Sequence, residues 1–327
     1  TQVMANIGYT VVRLDFGPSW SATPDPFPGK LVRAASAFDG RVMRALSANG
    51  RVYELDLAQG AWMLLPHGEL GLEPVERGAI TAAGDAVAAW DGSSVLMRDL
   101  RSGETRVIEA PSSNDTAALA WSADGARLFL ALPDRLVILD RRGEILASGF
   151  MAMGFVSSIA PFASSDGSED RVAVRFVSDV ERVAEFEISG SSVVALPDSI
   201  PLTDVRRVGD RFVMAELGGP IRVYANGGFE ALRDGPSVRL HGHSDIVSSI
   251  ELSPDGQWLA SGGRDGTVRV WSLRLAECFL PLYGPGGRVM FVRWSSDGQS
   301  LLAIDQFGAV RIYDSVPRRV RLGVAPD

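Results

Sequence analysis

The chain has 327 residues, a formal net charge of −8, 46% hydrophobic and 22% charged residues, a globular balance with ample apolar material for a core. The acidic balance withholds the concentrated positive field that a nucleic acid or an anionic membrane surface requires, so neither is expected as the main partner. Cys278 is the single cysteine, which leaves no internal disulfide and no cysteine-based zinc cluster and suits a reducing, cytoplasmic location. No apolar run approaches the roughly 18 residues of a membrane span.

Short runs of period-two alternation, bounded by Gly, Asp, Ser and Pro, recur from end to end with no competing 3.6-residue period, so the fold is expected to be all-β. The chain opens on Thr1 rather than Met, as a processed chain or a module cut from a longer polypeptide would. Tyr9 to Phe16 reads as the first strand. Residues 17–30, GPSWSATPDPFPGK, read as a surface loop, because their prolines forbid a hydrogen-bonded ladder. Trp20 within it is the one tryptophan expected to be exposed; Trp62, Trp90, Trp121 and Trp294 are assigned to packing between sheets.

Seven strands then follow that each precede a turn: Arg51 to Leu57, Val95 to Leu100, Leu136 to Asp140, Arg182 to Ile188, Ile221 to Tyr224, Thr267 to Leu273 and Ala309 to Asp314. A second signal alternates with them. Trp121-Ser-Ala-Asp-Gly125 is echoed 131 residues on by Leu252-Ser-Pro-Asp-Gly256 and 42 further by Trp294-Ser-Ser-Asp-Gly298, intervals of three units and one unit of about 44 residues. Each Asp-Gly closes a tight hairpin in which glycine takes a positive φ. A four-stranded sheet cannot bury both faces alone, so radial stacking into a ring is the expected solution. The prediction is a single domain over residues 1–327, a seven-bladed β-propeller of four-stranded antiparallel blades. The last blade needs a fourth strand from Tyr9 to Phe16 or from Pro317 to Gly323. The N-terminal segment is expected to supply it, closing the ring without an open edge.

Residues 241–273, HGHSDIVSSIELSPDGQWLASGGRDGTVRVWSL, resemble a nearly complete WD repeat. Gly242-His243 stands near the start, Asp265 in the tight turn, and Trp271-Ser272 where Trp-Asp is usual. The resemblance implies that His243, Ser261, Asp265 and Trp271 form a hydrogen-bonded chain, and a packed indole does need an acceptor that serine can provide while donating to histidine. The likeness thins elsewhere: the seventh unit keeps Tyr313-Asp314, has Gly287-Arg288 near the Gly-His position, and carries Phe307 in place of the turn aspartate.

Ser, His and Asp together also invite a hydrolase reading, but Ser261 is expected inside a strand, Trp271 competes for its oxygen, and no G-x-S-x-G elbow occurs. His241 and His243 have only His67 as a further histidine and no H-E-x-x-H pattern, so no metal is expected. The acidic loop Asp166 to Asp170 departs from the EF-hand order and reads as a solvated turn. Gly218-Gly219 and Gly286-Gly287 lack the Lys-Ser or Lys-Thr of a phosphate-binding loop. No cofactor is expected. Proteins of the resembled family mostly serve as rigid interaction platforms, which implies a non-catalytic scaffold or target-sensing module, read further as the C-terminal propeller of a larger bacterial-type signalling or regulatory protein. Its partners would be proteins, peptides or other domains of the same polypeptide. Aligning the units places Ile246, Ser248, Arg264, Arg288, Met290 and Gln306 on the candidate partner face. The alternative is a propeller enzyme, lactonase- or quinoprotein-like, with a metal or cofactor in its central channel.

Overall fold

The computed structural model describes residues 2–7, 10–15, 27–39, 41–56, 59–109, 117–150, 155–162, 171–177, 182–195, 204–208, 211–215, 220–224 and 238–314. Every regular element among them is a strand. β1 (Gln2–Ile7) and β2 (Thr10–Asp15) form a separate antiparallel pair. β3 (Leu31–Phe38), β4 (Val42–Ser47), β5 (Arg51–Asp56) and β6 (Trp62–Glu69) make one antiparallel sheet in chain order. β7 (Arg77–Ile80), β8 (Ala86–Trp90), β9 (Ser94–Asp99) and β10 (Thr105–Glu109) make the next.

β11 (Ala118–Trp121), β12 (Arg127–Ala131), β13 (Arg135–Asp140) and β14 (Ile145–Phe150) repeat the arrangement, as do β15 (Phe155–Phe162), β16 (Arg171–Val177), β17 (Arg182–Ser189) and β18 (Ser192–Ala195). A parallel pairing of Ser148 with Ser192 joins these two runs, edge to edge, into an eight-stranded sheet. β19 (Asp204–Val208), β20 (Arg211–Ala215), β21 (Ile221–Tyr224) and β22 (Val238–Leu240) form a further four-stranded sheet. β23 (Val247–Leu252), β24 (Trp258–Gly263), β25 (Thr267–Ser272) and β26 (Glu277–Tyr283) form another, and β27 (Val289–Trp294), β28 (Ser300–Asp305) and β29 (Val310–Asp314) a three-stranded one.

The hairpin after each first strand shows why the sequence repeats. Ser122, Ser253 and Ser295 each donate a hydroxyl to the aspartate two residues on, at 2.6, 2.5 and 2.5 Å. Each serine oxygen also accepts the N–H of the residue that opens the next strand, Arg127, Trp258 or Ser300. Gly125, Gly256 and Gly298 take φ of 67°, 66° and 67°, where an L side chain would be strained. The second sheet reaches the same turn with other residues. Thr81 donates to Asp85 at 2.7 Å, and Asp85 in turn receives Arg141 of the next sheet at 3.0 and 3.2 Å.

The sheets pack face to face through apolar clusters that cross from one to the next. Ala88, Trp90 and Met97 meet Leu119, Trp121 and Leu130, and Val213, Ile221 and Leu240 meet Ile250, Leu259 and Trp271. Two tryptophans add a bond to their packing: Trp121 donates its indole N–H to the Ala79 carbonyl and Trp294 to that of Glu251, each at 3.2 Å across neighbouring sheets. Phe38, Met43 and Leu55 of the first sheet share a cluster with Phe291, Leu302 and Ile304 of the last, and β27 lies against β3.

Two expectations meet a different arrangement. Thr10–Asp15 pairs with Gln2–Ile7 and not with β29, so the last sheet keeps three strands among the described residues. A hairpin between segments two residues apart costs far less loop entropy than a pairing across nearly the whole chain. The proline-rich stretch, whose residues 17–26 including Trp20 lie outside the described part, was expected to stay on the surface through residue 30. Instead Phe27 is 3% exposed, its ring edge-on to Trp62 at 4.9 Å and its N–H bonded to the Gly308 carbonyl at 2.9 Å. Burying that ring is worth about 2 kcal/mol, enough to draw the end of the loop inward between the first and last sheets.

Candidate functional site

Numbering the runs from β3–β6, with β11–β14 and β15–β18 as the third and fourth, the geometry of the sixth, β23–β26, brings His243, Ser261, Asp265 and Trp271 together. Trp271, in β25, is 1% exposed and donates its indole N–H to Ser261 Oγ on the neighbouring β24 at 2.8 Å. Ser261 Oγ lies 2.7 Å from His243 Nε2, and His243 Nδ1 lies 2.9 and 3.1 Å from the two Asp265 oxygens. With Nδ1 protonated, every polar atom in the chain is satisfied: indole to hydroxyl, hydroxyl to Nε2, Nδ1–H to carboxylate. Asp265 also accepts the backbone N–H of Ser244 and Thr267, both at 3.0 Å, and the Thr267 hydroxyl at 2.8 Å. One carboxylate thus holds the loop entering β23 against the turn between β24 and β25.

Close approach makes this possible. A Cβ on Gly263 would stand 2.5 Å from both His243 Nδ1 and Asp265 Oδ1, so only glycine leaves room for the imidazole–carboxylate pair. Burial pulls the His243 imidazole below its ordinary value, although the Asp265 carboxylate beside it favours the charged form. Burial pushes the Asp265 carboxyl upward, but the N–H groups of Thr267 and Ser244, the His243 ring and the Thr267 hydroxyl together outweigh it and leave the carboxyl lowered. The pair is therefore a neutral imidazole on an anionic carboxylate.

The distances are those of a serine–histidine–aspartate relay, but the environment is not that of a nucleophile. Ser261 is 0% exposed, and its oxygen already receives the Trp271 N–H. What the arrangement does is tie β24, β25 and the entering loop together. His241, the neighbouring histidine, is exposed, whereas the His243 side chain is buried. Among the described residues no group of three or more His, Cys, Asp or Glu side chains is placed to hold a metal ion. The acidic loop 166–170 and the pair Gly218-Gly219 lie outside the described residues.

The six candidate partner-facing residues occupy matching places in two neighbouring sheets. The Arg264 N–H bonds the Ile246 carbonyl at 2.8 Å and the Gln306 N–H bonds that of Arg288 at 3.0 Å, so each pair sits side by side where strands end. Ser248 and Met290 fall at register shifts, between Val247 and Ser249 in β23 and between Val289 and Phe291 in β27. Such bulges turn an extra residue out of the ladder and re-aim its side chain. Arg264, Arg288 and Gln306 are exposed, Ile246 and Ser248 half-buried, and Met290 is 40% exposed.

Asp305 does in the seventh sheet what Asp265 does in the sixth. It accepts the Gly287 N–H at 3.0 Å and those of Phe307 and Ala309 at 2.9 Å, tying the entering loop to the same kind of turn without a histidine. Two further residues of this region were missed by sequence reasoning. Phe307 is 73% exposed, and Tyr283, at the end of β26, 85%; Tyr313 and Arg311 both donate to the Tyr283 carbonyl. The signal for Phe307 was present, an aromatic standing where the sixth sheet has a buried aspartate. Tyr283 gave none, since an alternating strand does not say which of its faces stays open.

Comparison with known proteins places these residues in context. Residues 235–272 match the family described as WD domain, G-beta repeat. The chain is 44% identical over 54 residues to mouse ribosome biogenesis protein BOP1, covering 16% of this chain and 7% of that protein. Human coronin-7 is 27% identical over 265 residues, covering 75% of this chain and 28% of its own length. The periodic tryptophan protein 2 homolog of Caenorhabditis elegans is 31% identical over 77 residues, 24% of this chain and 8% of that protein. The chain spans less than a third of each of these relatives. Matched repeat, relatives and stacked antiparallel sheets together support a WD-repeat β-propeller family for this chain.

Proposed function

We propose that this chain is a rigid, non-catalytic platform for protein partners, bound at the strand ends of the sixth and seventh sheets. The observation that carries the reading is the exposed group of Arg264, Arg288, Met290 and Phe307, held on turns, an entering loop and a strand bulge that Asp265 and Asp305 tie together. Arginine, methionine and aromatic side chains are the types enriched at interfaces, and turns already ordered lower the cost of binding. Gln306 and Ile246 would form the rim.

The same proposal takes residues 1–327 as one domain, a closed ring of seven blades in which β11–β14 and β15–β18 count as two. The single bridge between those runs, the contact of β27 with β3 and the burial of Phe27 between first and last sheets support it. A cytoplasmic setting and a place within a larger signalling or regulatory protein belong to the proposal as well, the former suggested by the lone cysteine. Affinity purification from the source organism tests the binding face. A chain carrying Arg264→Glu and Arg288→Glu should lose partners that the parent chain recovers while keeping its melting temperature. Equal recovery of every partner by both chains would overturn the choice of face.

A further inference from the structure

A cavity of about 160 Å³ opens between the second and third sheets, at the opposite strand ends from Arg264 and Arg288. Its floor is apolar, made by Ala86, Met97 and the Trp121 indole, and the indole N–H is already committed to the Ala79 carbonyl. That leaves carbon surface facing the space. An apolar cavity of about 150 Å³ accepts one benzene ring. The volume therefore suffices for a single aromatic group.

The rim is of another kind, since Arg98, Arg106, Arg141 and Arg142 all border the cavity in a chain whose net charge is −8. Their states differ. Arg141 is fully engaged, with Asp85 at 3.0 and 3.2 Å and the Gly125 carbonyl at 2.6 Å, and serves as a fixed wall. Arg98 donates to Thr105 Oγ1 at 2.8 Å and to the carbonyls of His67 and Glu69, so its charge has no counter-charge among these partners. Arg106 pairs with Glu104 at 2.5 Å, but both side chains are more than half exposed, and such pairs are weak. Arg142 has no side-chain hydrogen bond or ion pair among the described residues.

Of the two lining carboxylates, Asp99 is turned into its own hairpin, accepting the N–H of Arg101 and Ser102 at 2.9 and 2.8 Å. Glu104 is the one within reach of a rim arginine. An apolar floor beside the uncommitted Arg142 and the loosely paired, exposed Arg106 matches an aromatic ring that carries an oxyanion, and guanidinium forks hold phosphate bidentately.

We propose that this cavity is a binding site for an aromatic phosphate monoester, as a phosphorylated tyrosine of a partner chain would present. Arg142 and Arg106 grip the phosphate and the Met97–Trp121 floor holds the ring. The site is distinct from the partner face proposed above and does not depend on it. Calorimetric titration of the whole chain with phenyl phosphate, inorganic phosphate and benzoate tests it. Saturable binding of phenyl phosphate is expected, at least tenfold tighter than either of the others. Arg142→Glu should weaken it tenfold or more without moving the melting temperature. Glu104→Gln, which releases Arg106, should tighten it, a gain that a merely structural role would not produce. Absence of saturable binding to the parent chain, equal binding by Arg142→Glu, or weaker binding by Glu104→Gln would each overturn the site. Inorganic phosphate binding as well as phenyl phosphate would overturn the role of the floor, and benzoate binding as well would overturn the phosphate.

Discussion

Replacing Ser261 by alanine removes one oxygen and leaves two buried groups without a partner. The Trp271 N–H loses its acceptor at 2.8 Å and His243 Nε2 its donor at 2.7 Å. Trp271 is 1% exposed and the His243 side chain 3%, so water cannot take the place of the hydroxyl without opening the sheet. Each orphaned neutral group costs about 1–3 kcal/mol; allowing for the hydroxyl's own relieved burial, the substitution should destabilise by about 2–4 kcal/mol. Urea unfolding followed by circular dichroism at pH 7.5 measures it.

A double-mutant cycle with Trp271→Phe isolates the indole bond. Once the indole N–H is gone, Ser261→Ala orphans only the imidazole, so the second substitution should cost about 1 kcal/mol less than the first did alone. A Ser261→Ala chain within about 0.5 kcal/mol of the parent, the range of an ordinary surface change, would refute the reasoning. So would a cycle that adds without coupling.

Gly263→Ala should be nearly as damaging, because its Cβ would stand 2.5 Å from His243 Nδ1 and Asp265 Oδ1; the melting temperature should fall, and an unchanged value would remove the close approach from the account. Stability should decline as pH drops below about 6.5, the ordinary histidine value, since the unfolded chain takes up the proton that folded His243, held below that value by burial, refuses. His243→Gln should flatten that part of a melting-temperature profile. Asp85 is held below the ordinary carboxyl range: burial raises it, but Arg141, Thr81 and the Arg101 charge lower it further. Its stabilisation is therefore present above the unfolded carboxyl value and lost as pH falls through the folded one; Asp85→Asn should reduce acid sensitivity, and an unaltered acid limb would show that the Asp85–Arg141 pair contributes nothing.

Much of the strand layout was legible because its signals are local. Each of the seven marker strands coincides with the third strand of a sheet run: β5, β9, β13, β17, β21, β25 and β29. The Ser-x-Asp-Gly hairpins were legible for the same reason, since serine, aspartate and glycine satisfy one another within a few residues. What escaped were choices made between distant residues. The second sheet's hairpin uses Thr81 and Asp85, a substitution that hides the repeat but gives Arg141 a carboxylate across the sheet boundary. The burial of Phe27 was masked by the prolines around it, and the pairing of β2 with β1 was a competition between two partners for one strand. Tyr283 and the arginine-rimmed cavity depend on which faces of neighbouring sheets stay uncovered, which alternation along one strand does not specify.

The bridge between Ser148 and Ser192 has a consequence for motion. Outer strands usually fray first, because one side of each has no neighbour. Here the Ser148 N–H bonds the Ser191 carbonyl at 3.1 Å, so β14 and β18 shield each other's open sides. At that one point neither edge can peel without breaking the bond, so the middle of β14 should be held more firmly than an edge strand with no bridge. The amide of Ser148 should then exchange with solvent more slowly than the outer amides of β10, which has no such neighbour among the described residues.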